Sequence, residues 1–272
     1  MNESIKDWQL SVSYMLYIVI FFSFICVALY KNLNNKNSYN FLVKDKKNDV
    51  KVKSENYTFL IFSLVFSYAA LLPITDIIWK KNLSILLEED AIKYSSFIAM
   101  VTKYTGILVV FFTFFFKQLV LKLRWKTLAF VTPISYLLLF SPVFIIVLLD
   151  SLDFLNTSGN VYYIISYVGA FQFSIFHSLK YMIFDTVKEM AILKINKKNR
   201  AQAKELIDII GFRFGKAFGS WLIIILFSIF HTMELRAIYP YIFLSILLIC
   251  GLWIFSTFLL AKRYEKRYTP YQ

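Results

Sequence analysis

Cysteine and histidine are nearly missing from this chain, with two of each in 272 residues. Cys26 and Cys250 both fall inside long apolar runs, so they are expected to pack there. They offer no disulfide framework and no metal-ligand spacing. His177 and His231 stand alone, far apart, and read as structural side chains. No Ser/His/Asp arrangement and no paired carboxylates suited to acid–base chemistry can be assembled, which argues against an enzyme and implies no cofactor. Charged residues are also scarce, at 17%, and unbalanced: 30 Lys and Arg against 17 Asp and Glu leave a net charge of +13. A cleavable signal peptide is not evident. Only Lys6 precedes the first apolar run and no small-residue cleavage site follows it, so that run is expected to remain as an anchor.

What the chain does contain is long apolar runs. Apolar residues make up 58% of it, in blocks rather than in alternation with polar residues. Seven blocks, at 8–30, 57–79, 95–116, 127–149, 162–184, 212–230 and 238–261, reach the ~20 residues that span a bilayer as a helix. The expected fold is therefore all-α and polytopic, with about seven transmembrane helices in contact with the lipid bilayer. Its parts are an N-terminal helix with a basic linker, 1–56, and a six-helix bundle, 57–272. Outer loops are short, which leaves no room for a sizeable extramembrane domain.

The positive charge follows the loops. Of the 30 basic residues, 22 fall in alternate loops (31–56, 117–126, 184–213 and from Lys262 onward), against five in the opposite set. By the positive-inside rule the N-terminus lies outside and the C-terminus in the cytoplasm. The basicity is topological and gives no sign of nucleic-acid binding. Segment 31–56 reads as a flexible linker. Segment 201–210, with Asn199 as its cap and Leu206, Ile209 and Ile210 on one face, predicts an amphipathic helix on the cytoplasmic surface.

Three basic residues remain unassigned, Lys103, Lys180 and Lys216, and Asp76 is the one acid clearly within a span. Charges inside a membrane are costly and point to function. Asp76 follows Pro73 by three residues and precedes Lys80 by four. It reads either as an acid drawn to the outer interface beside Trp79, or as a carboxylate facing a polar cavity. Lys103 reads either as a snorkelling lysine or as the partner of Asp76 in an ion pair, since spans two and three join on the outer side.

The segment from Lys180 to Ser220 draws these features together. It reads KYMIFDTVKEMA, a basic stretch, then AKELIDIIGFRFGKAFGS. Arg213 and Lys216 are three residues apart and share a helix face. Gly211, Gly215 and Gly219 recur every fourth residue. Those glycines read either as close helix packing or as an anion site. In the second reading Gly215 admits a phosphate or carboxylate while Lys216 and Arg213 supply charge. GFRFGKA is not a P-loop: it lacks one spacer residue, Ala217 stands at the hydroxyl position, and no strand precedes it.

KYMIFDTVKEMA, AKELIDIIGFRFGKAFGS and the pair TDIIWK and YSSFIAMVTKYTG resemble the ATP/ADP antiporter family of intracellular bacteria and plastids. The matching residues are Lys180-Tyr181, Phe184-Asp185, Lys188-Glu189-Met190-Ala191, and Gly215-Lys216 after Ile207-Asp208. The resemblance implies a major-facilitator-like plan, of which this chain is similar to the C-terminal half. The first span corresponds to the family's sixth helix and the other six to helices seven to twelve. It further implies nucleotide transport across a bacterial inner membrane, by ATP/ADP exchange, with Asp76 and Lys216 at the positions of a helix-seven carboxylate and a helix-eleven lysine. Asp76 stands where the family has glutamate. Lys180 is a further phosphate ligand in this reading. Opening on Met1 and a polar tail, the chain reads as a complete product, so transport would need a homodimer or a separate N-terminal half. The alternative is a truncated, non-transporting remnant or a membrane interaction subunit.

Overall fold

The computed structural model describes most of residues 13–28, and residues 54–151, 160–232 and 234–266. The two ends of the expected first span, Cys26 and the basic linker as far as residue 53 lie outside the described residues. The chain separates into two compact units, Met1–Val50 and Lys51–Gln272. In the first, the described residues within 13–28 are helical (α1) and carry exposed apolar side chains such as Phe21 and Phe24.

The second unit contains α2 (Ser54–Leu86), α3 (Ala91–Lys122), α4 (Trp125–Ser151) and α5 (Asn160–Leu179). A π-helical turn, Lys180–Phe184, leads into α6 (Asp185–Leu193), and α7 (Lys197–Glu205) follows. A second π turn, Leu206–Gly211, then enters α8 (Phe212–Ile229), and α9 (Leu235–Lys266) ends the bundle. No strand occurs among the described residues. Helix is forced by the medium, because a spanning backbone must satisfy its own polar groups where water is absent.

Five described helices are long and apolar enough to cross a bilayer: Asn56–Leu86, Ala91–Phe114, Trp125–Ser151, Lys197–Ile229 and Leu235–Glu265. Of the other two expected spans, the first is described only in part, as α1. The fifth is α5, 20 residues long, with Ser166, Gln172, Ser174 and Ser178 buried within the bundle. Ser174 bonds Thr105 of α3 at 2.9 Å, and Ser178 donates to the Ser174 carbonyl at 2.8 Å. The expected surface helix 201–210 is not separate. The helical run starts at Lys197, the Asn196 cap makes no side-chain bond, and α7 passes through the π turn directly into α8. Ala203 and Ile207 are the buried residues of 201–210, while Leu206, Ile209 and Ile210 are exposed.

α2 is the central helix and packs against α5, α8 and α9. Lipid tails are as apolar as leucine, so helices associate here through close packing and hydrogen bonds. The core is aromatic: Tyr68 of α2 stacks on Phe184 at 4.4 Å and meets the edge of Trp253 at 5.8 Å. Polar ties cross it. Ser63 and Ser256 join α2 to α9 at 2.8 Å, and Trp79 Nε1 donates to the Ser166 carbonyl of α5 at 2.9 Å. On the outer faces of α3 and α8 large apolar side chains such as Phe114 and Ile224 are exposed, as lipid contact requires.

The α2–α3 turn is closed by Asp90, whose Oδ1 accepts from the N–H groups of Ile92 at 2.9 Å and Lys93 at 3.1 Å. These bonds, that of Lys93 first, hold its carboxyl below the usual range. The cap is thus made by the ionised form and is lost as pH falls through the depressed value. Asp90→Ala is expected to fray the first turn of α3, seen as faster amide exchange at Ile92 and Lys93 with the rest of the bundle unchanged.

Candidate functional site

α8 lies against α2 along its glycine stripe. Gly211 faces Phe62, Gly215 faces Phe66 and Ala69, and Gly219 faces Ala70 and Pro73, so the two helices run in the same direction. A Cβ on Gly215 would stand 2.6 Å from the Phe66 carbonyl oxygen, and one on Gly219 would strike the Ala70 carbonyl. Gly215 and Gly219 are buried in this contact. Of the two readings of the stripe, the structure therefore bears out packing. Gly215 faces a neighbouring helix, and the anion-cradle role assigned to it has no open space to work in.

Close packing on one side of α8 leaves its other residues outward. Lys216 and Arg213 are both exposed, and Lys216 Nζ sits 4.9 Å from the centre of the Phe212 ring. Among the described residues no carboxylate lies within ion-pair distance of either. Both lie at the start of the apolar helix α8, as its second and fifth residues. Unneutralised cations beside an apolar run are costly, and an anionic ligand would relieve the cost.

Asp76 is half-buried on α2. Its Oδ2 lies 2.9 Å from Lys80 Nζ, one turn along the same helix, an acid-before-base spacing that favours pairing. It does not pair with Lys103, which is exposed on α3, a helix that packs mainly against α5. Asp76 lines an open cavity of about 810 Å³ between α2, α8 and the start of α3, together with Lys80, Lys81 and Ser220. The carboxylate thus borders an open recess whose wall is largely apolar, with Ile77, Ile223, Ile224 and Phe227 beside the charged groups. Ser220 is one turn beyond Lys216, which places the lysine next to this recess.

His177, read from sequence as structural, is part of the aromatic contact between α5 and α2. Its ring stacks on Phe173 at 3.9 Å, and Phe173 stacks on Trp79 at 5.0 Å, which links α5 to α2 one turn beyond Asp76. His177 Nδ1 lies 3.2 Å from the Phe173 carbonyl, a bond that needs the proton on Nδ1 and leaves Nε2 free to accept. Asp76, Lys180 and Lys216, the groups chosen from sequence, stand on α2, the first π turn and α8. A lone histidine carries no motif. Its one available signal was the spacing of three residues before Lys180.

Lys180 is paired with Asp185 at 3.0 Å and also lies over the Tyr181 ring at 4.0 Å. Next to it, Lys188 is 2.7 Å from Asp208 and within 4.0 Å of Asp185 and Glu189. Lys204 bonds Glu189 at 2.9 Å. This network ties α6 to α7 and to the second π turn. Lys188 had been counted with the loop charges, yet its side chain is only 13% exposed. No group of His, Cys, Asp and Glu among the described residues is arranged to hold a metal ion.

The bundle and its site together define a polytopic α-helical membrane protein with two exposed cations at the start of an apolar helix. The chain belongs to the TLC ATP/ADP transporter family, whose profile matches residues 1–264. It is 29% identical over 204 residues to the ADP,ATP carrier protein 3 of Rickettsia typhi, covering 75% of this chain and 40% of that protein. With the ADP,ATP carrier protein 4 of the same organism it shares 26% identity over 280 residues, 94% of this chain and 53% of the relative. The ADP,ATP carrier protein 1 of Rickettsia prowazekii is 25% identical over 240 residues, 82% of this chain and 47% of the relative. The chain thus spans about half the length of the curated relatives it matches. No solved structure matches it.

Proposed function

We propose that this chain takes part in nucleotide transport across a membrane, by ATP/ADP exchange. The observation that carries this reading is the pair Lys216 and Arg213, exposed on one apolar helix, α8, with no carboxylate within ion-pair distance among the described residues. A polyphosphate is the natural counter-ion for such a site, and Lys216, Arg213 and Lys180 are its proposed ligands. Asp76 and Lys80, across the open recess, form the charge pair whose making and breaking accompanies passage. No covalent bond changes, so the chain acts as a carrier and not as an enzyme. The charge bias of the loops supports a bacterial inner-membrane orientation with the N-terminus outside and the C-terminus cytoplasmic.

Alternating access of the major-facilitator kind needs two six-helix halves rocking about a central site. The bundle described here corresponds to one of them. The other comes from the remainder of a longer polypeptide, a second copy or a separately encoded half. The half-length match also favours a second reading, that of an interaction subunit that binds no nucleotide.

Uptake of labelled ATP into intact bacterial cells separates the two, with the chain expressed alone and together with the first half of a relative. Uptake stimulated by internal ADP and absent in Lys216→Ala is the expected result. Uptake unchanged by that substitution would remove the site proposed here, and no uptake in either setting would favour the subunit.

A further inference from the structure

Lys180 and Asp185 are five residues apart, a spacing that in an uninterrupted α-helix turns side chains about 140° away from each other. They nevertheless form an ion pair, with Nζ 3.0 Å from Oδ2. The π turn is the cause. Asp185 N–H donates to the Lys180 carbonyl, and this i→i+5 closure brings the two residues back to one face. The second carboxylate oxygen, Oδ1, lies 4.0 Å from Lys188 Nζ, whose shortest contact is Asp208 at 2.7 Å on the other π turn. Asp185 therefore stands between two lysines with different duties. Lys180 is one of the three phosphate ligands proposed above. Lys188 joins α6 to the start of α8 through Asp208 and is the more buried of the two, at 13% against 19% exposure.

From this geometry we propose that Asp185 is the internal counter-ion of the site: its carboxylate holds Lys180 while the site is empty, and a phosphate group of the substrate displaces it toward Lys188. The inference rests on the nucleotide reading above and adds to it the residue with which the substrate competes. A carboxylate and a phosphate oxygen are equivalent acceptors for an ammonium group, and the phosphate carries the greater charge. The displaced carboxylate has a cation already within reach, so the exchange strands no half-buried charge. The π turn is the movable part. Relaxing it to α geometry swings Lys180 away from Asp185, the kind of two-position element that a ligand can bias. Asp185 never touches the substrate; it acts through Lys180 and is a positioning residue.

The test uses the full chain, purified in detergent, with ATP and inorganic pyrophosphate as probes in equilibrium binding. Asp185→Asn is expected to bind both roughly tenfold more tightly than the native chain, and Lys180→Ala roughly tenfold more weakly. In the double variant the gain from Asp185→Asn should vanish, because there is no lysine left to release. A second readout needs no ligand: the rate at which an amine-directed reagent modifies Lys180, followed by mass spectrometry. It should rise several-fold in Asp185→Asn and fall again when pyrophosphate is added. If Lys180→Ala weakens binding but Asp185→Asn does not tighten it, the phosphate site stands and the counter-ion idea is overturned. An unchanged Lys180 modification rate overturns it as well, whatever binds. If Lys180 becomes more reactive but no variant binds either probe, the nucleotide reading fails and the displacement fails with it.

Discussion

Replacing Lys216 with leucine is expected to leave the chain at least as stable as the native protein while removing nucleotide binding. The two halves of this expectation come from the same fact. Lys216 is exposed on α8, makes its one described polar contact with the face of Phe212, and has no carboxylate partner. An ammonium group costs at most about 2.5–3.5 kcal/mol on insertion scales, the value for a helix centre, and no carboxylate within the described bundle offsets the cost at Lys216. A residue kept for structure would lose stability when truncated; Lys216→Leu should gain it, seen as an equal or higher unfolding midpoint in detergent. Binding should behave in the opposite way. Deleting one partner of a desolvated, hydrogen-bonded charge pair typically costs about 2–5 kcal/mol, or roughly thirty-fold to several-thousand-fold in affinity. Lys216→Glu should be worse still, since it sets a carboxylate against the phosphate, whereas Lys216→Arg keeps the charge and should retain a measurable fraction. ATP binding by the purified variants checks the series. A leucine variant that binds ATP normally, or one that unfolds more easily than the native chain, would return Lys216 to a structural role.

What the sequence could disclose was decided by which interactions are local. The apolar runs at 57–79, 95–116, 127–149 and 238–261 locate α2, α3, α4 and α9, but each helix extends beyond its run. The added turns carry Lys80 and Lys81, or Lys122, or Lys262 and Arg263, where helix continues after hydrophobicity has stopped. The glycine stripe was legible as helix packing because small residues at every fourth position have one strong physical use. The two π turns were not legible. No residue preference marks an i→i+5 closure, and without it Lys180 and Asp185 belong on different faces. The second π turn hid the continuity of α7 with α8 in the same way, so 201–210 was read as a helix of its own. Lys188 shows a further limit. Counting loop lysines explains the orientation of a chain, but it cannot separate a solvated lysine from one surrounded by Asp185, Glu189 and Asp208. Asp76 was read for a distant partner on α3 when the nearer one, Lys80, lay one turn away on the same helix.

Gly219→Ala is expected to be the most damaging alanine change in the α8 glycine stripe, well beyond what helix propensity predicts. On propensity alone, alanine in place of a mid-helix glycine should stabilise by about 0.8–1 kcal/mol. Gly106 on α3 and Gly251 on α9 should show that gain or no change, because a Cβ there meets nothing within 4 Å. At Gly219 the new carbon runs into the Ala70 carbonyl and lies 2.7 Å from Pro73 Cγ. Neither obstacle is the far end of a flexible side chain: one is backbone and the other a ring fixed to it. Relief therefore requires α8 to move off α2, and overpacking of this kind costs about 1–3 kcal/mol or more. The stripe should show a gradient. Gly215, facing the Phe66 carbonyl and Ala69, should come next, and Gly211, which faces the rotatable Phe62 ring at 3.1 Å, should be mildest. Unfolding midpoints of the five alanine variants in detergent would reveal the order, and Gly219→Ala as stable as Gly251→Ala would overturn it. The same displacement carries a functional consequence, because Lys216 lies between Gly215 and Gly219 on the helix that must move. At temperatures where Gly219→Ala remains folded, its affinity for pyrophosphate should still fall, since the lysine no longer stands at its native distance from Asp76 and Lys180.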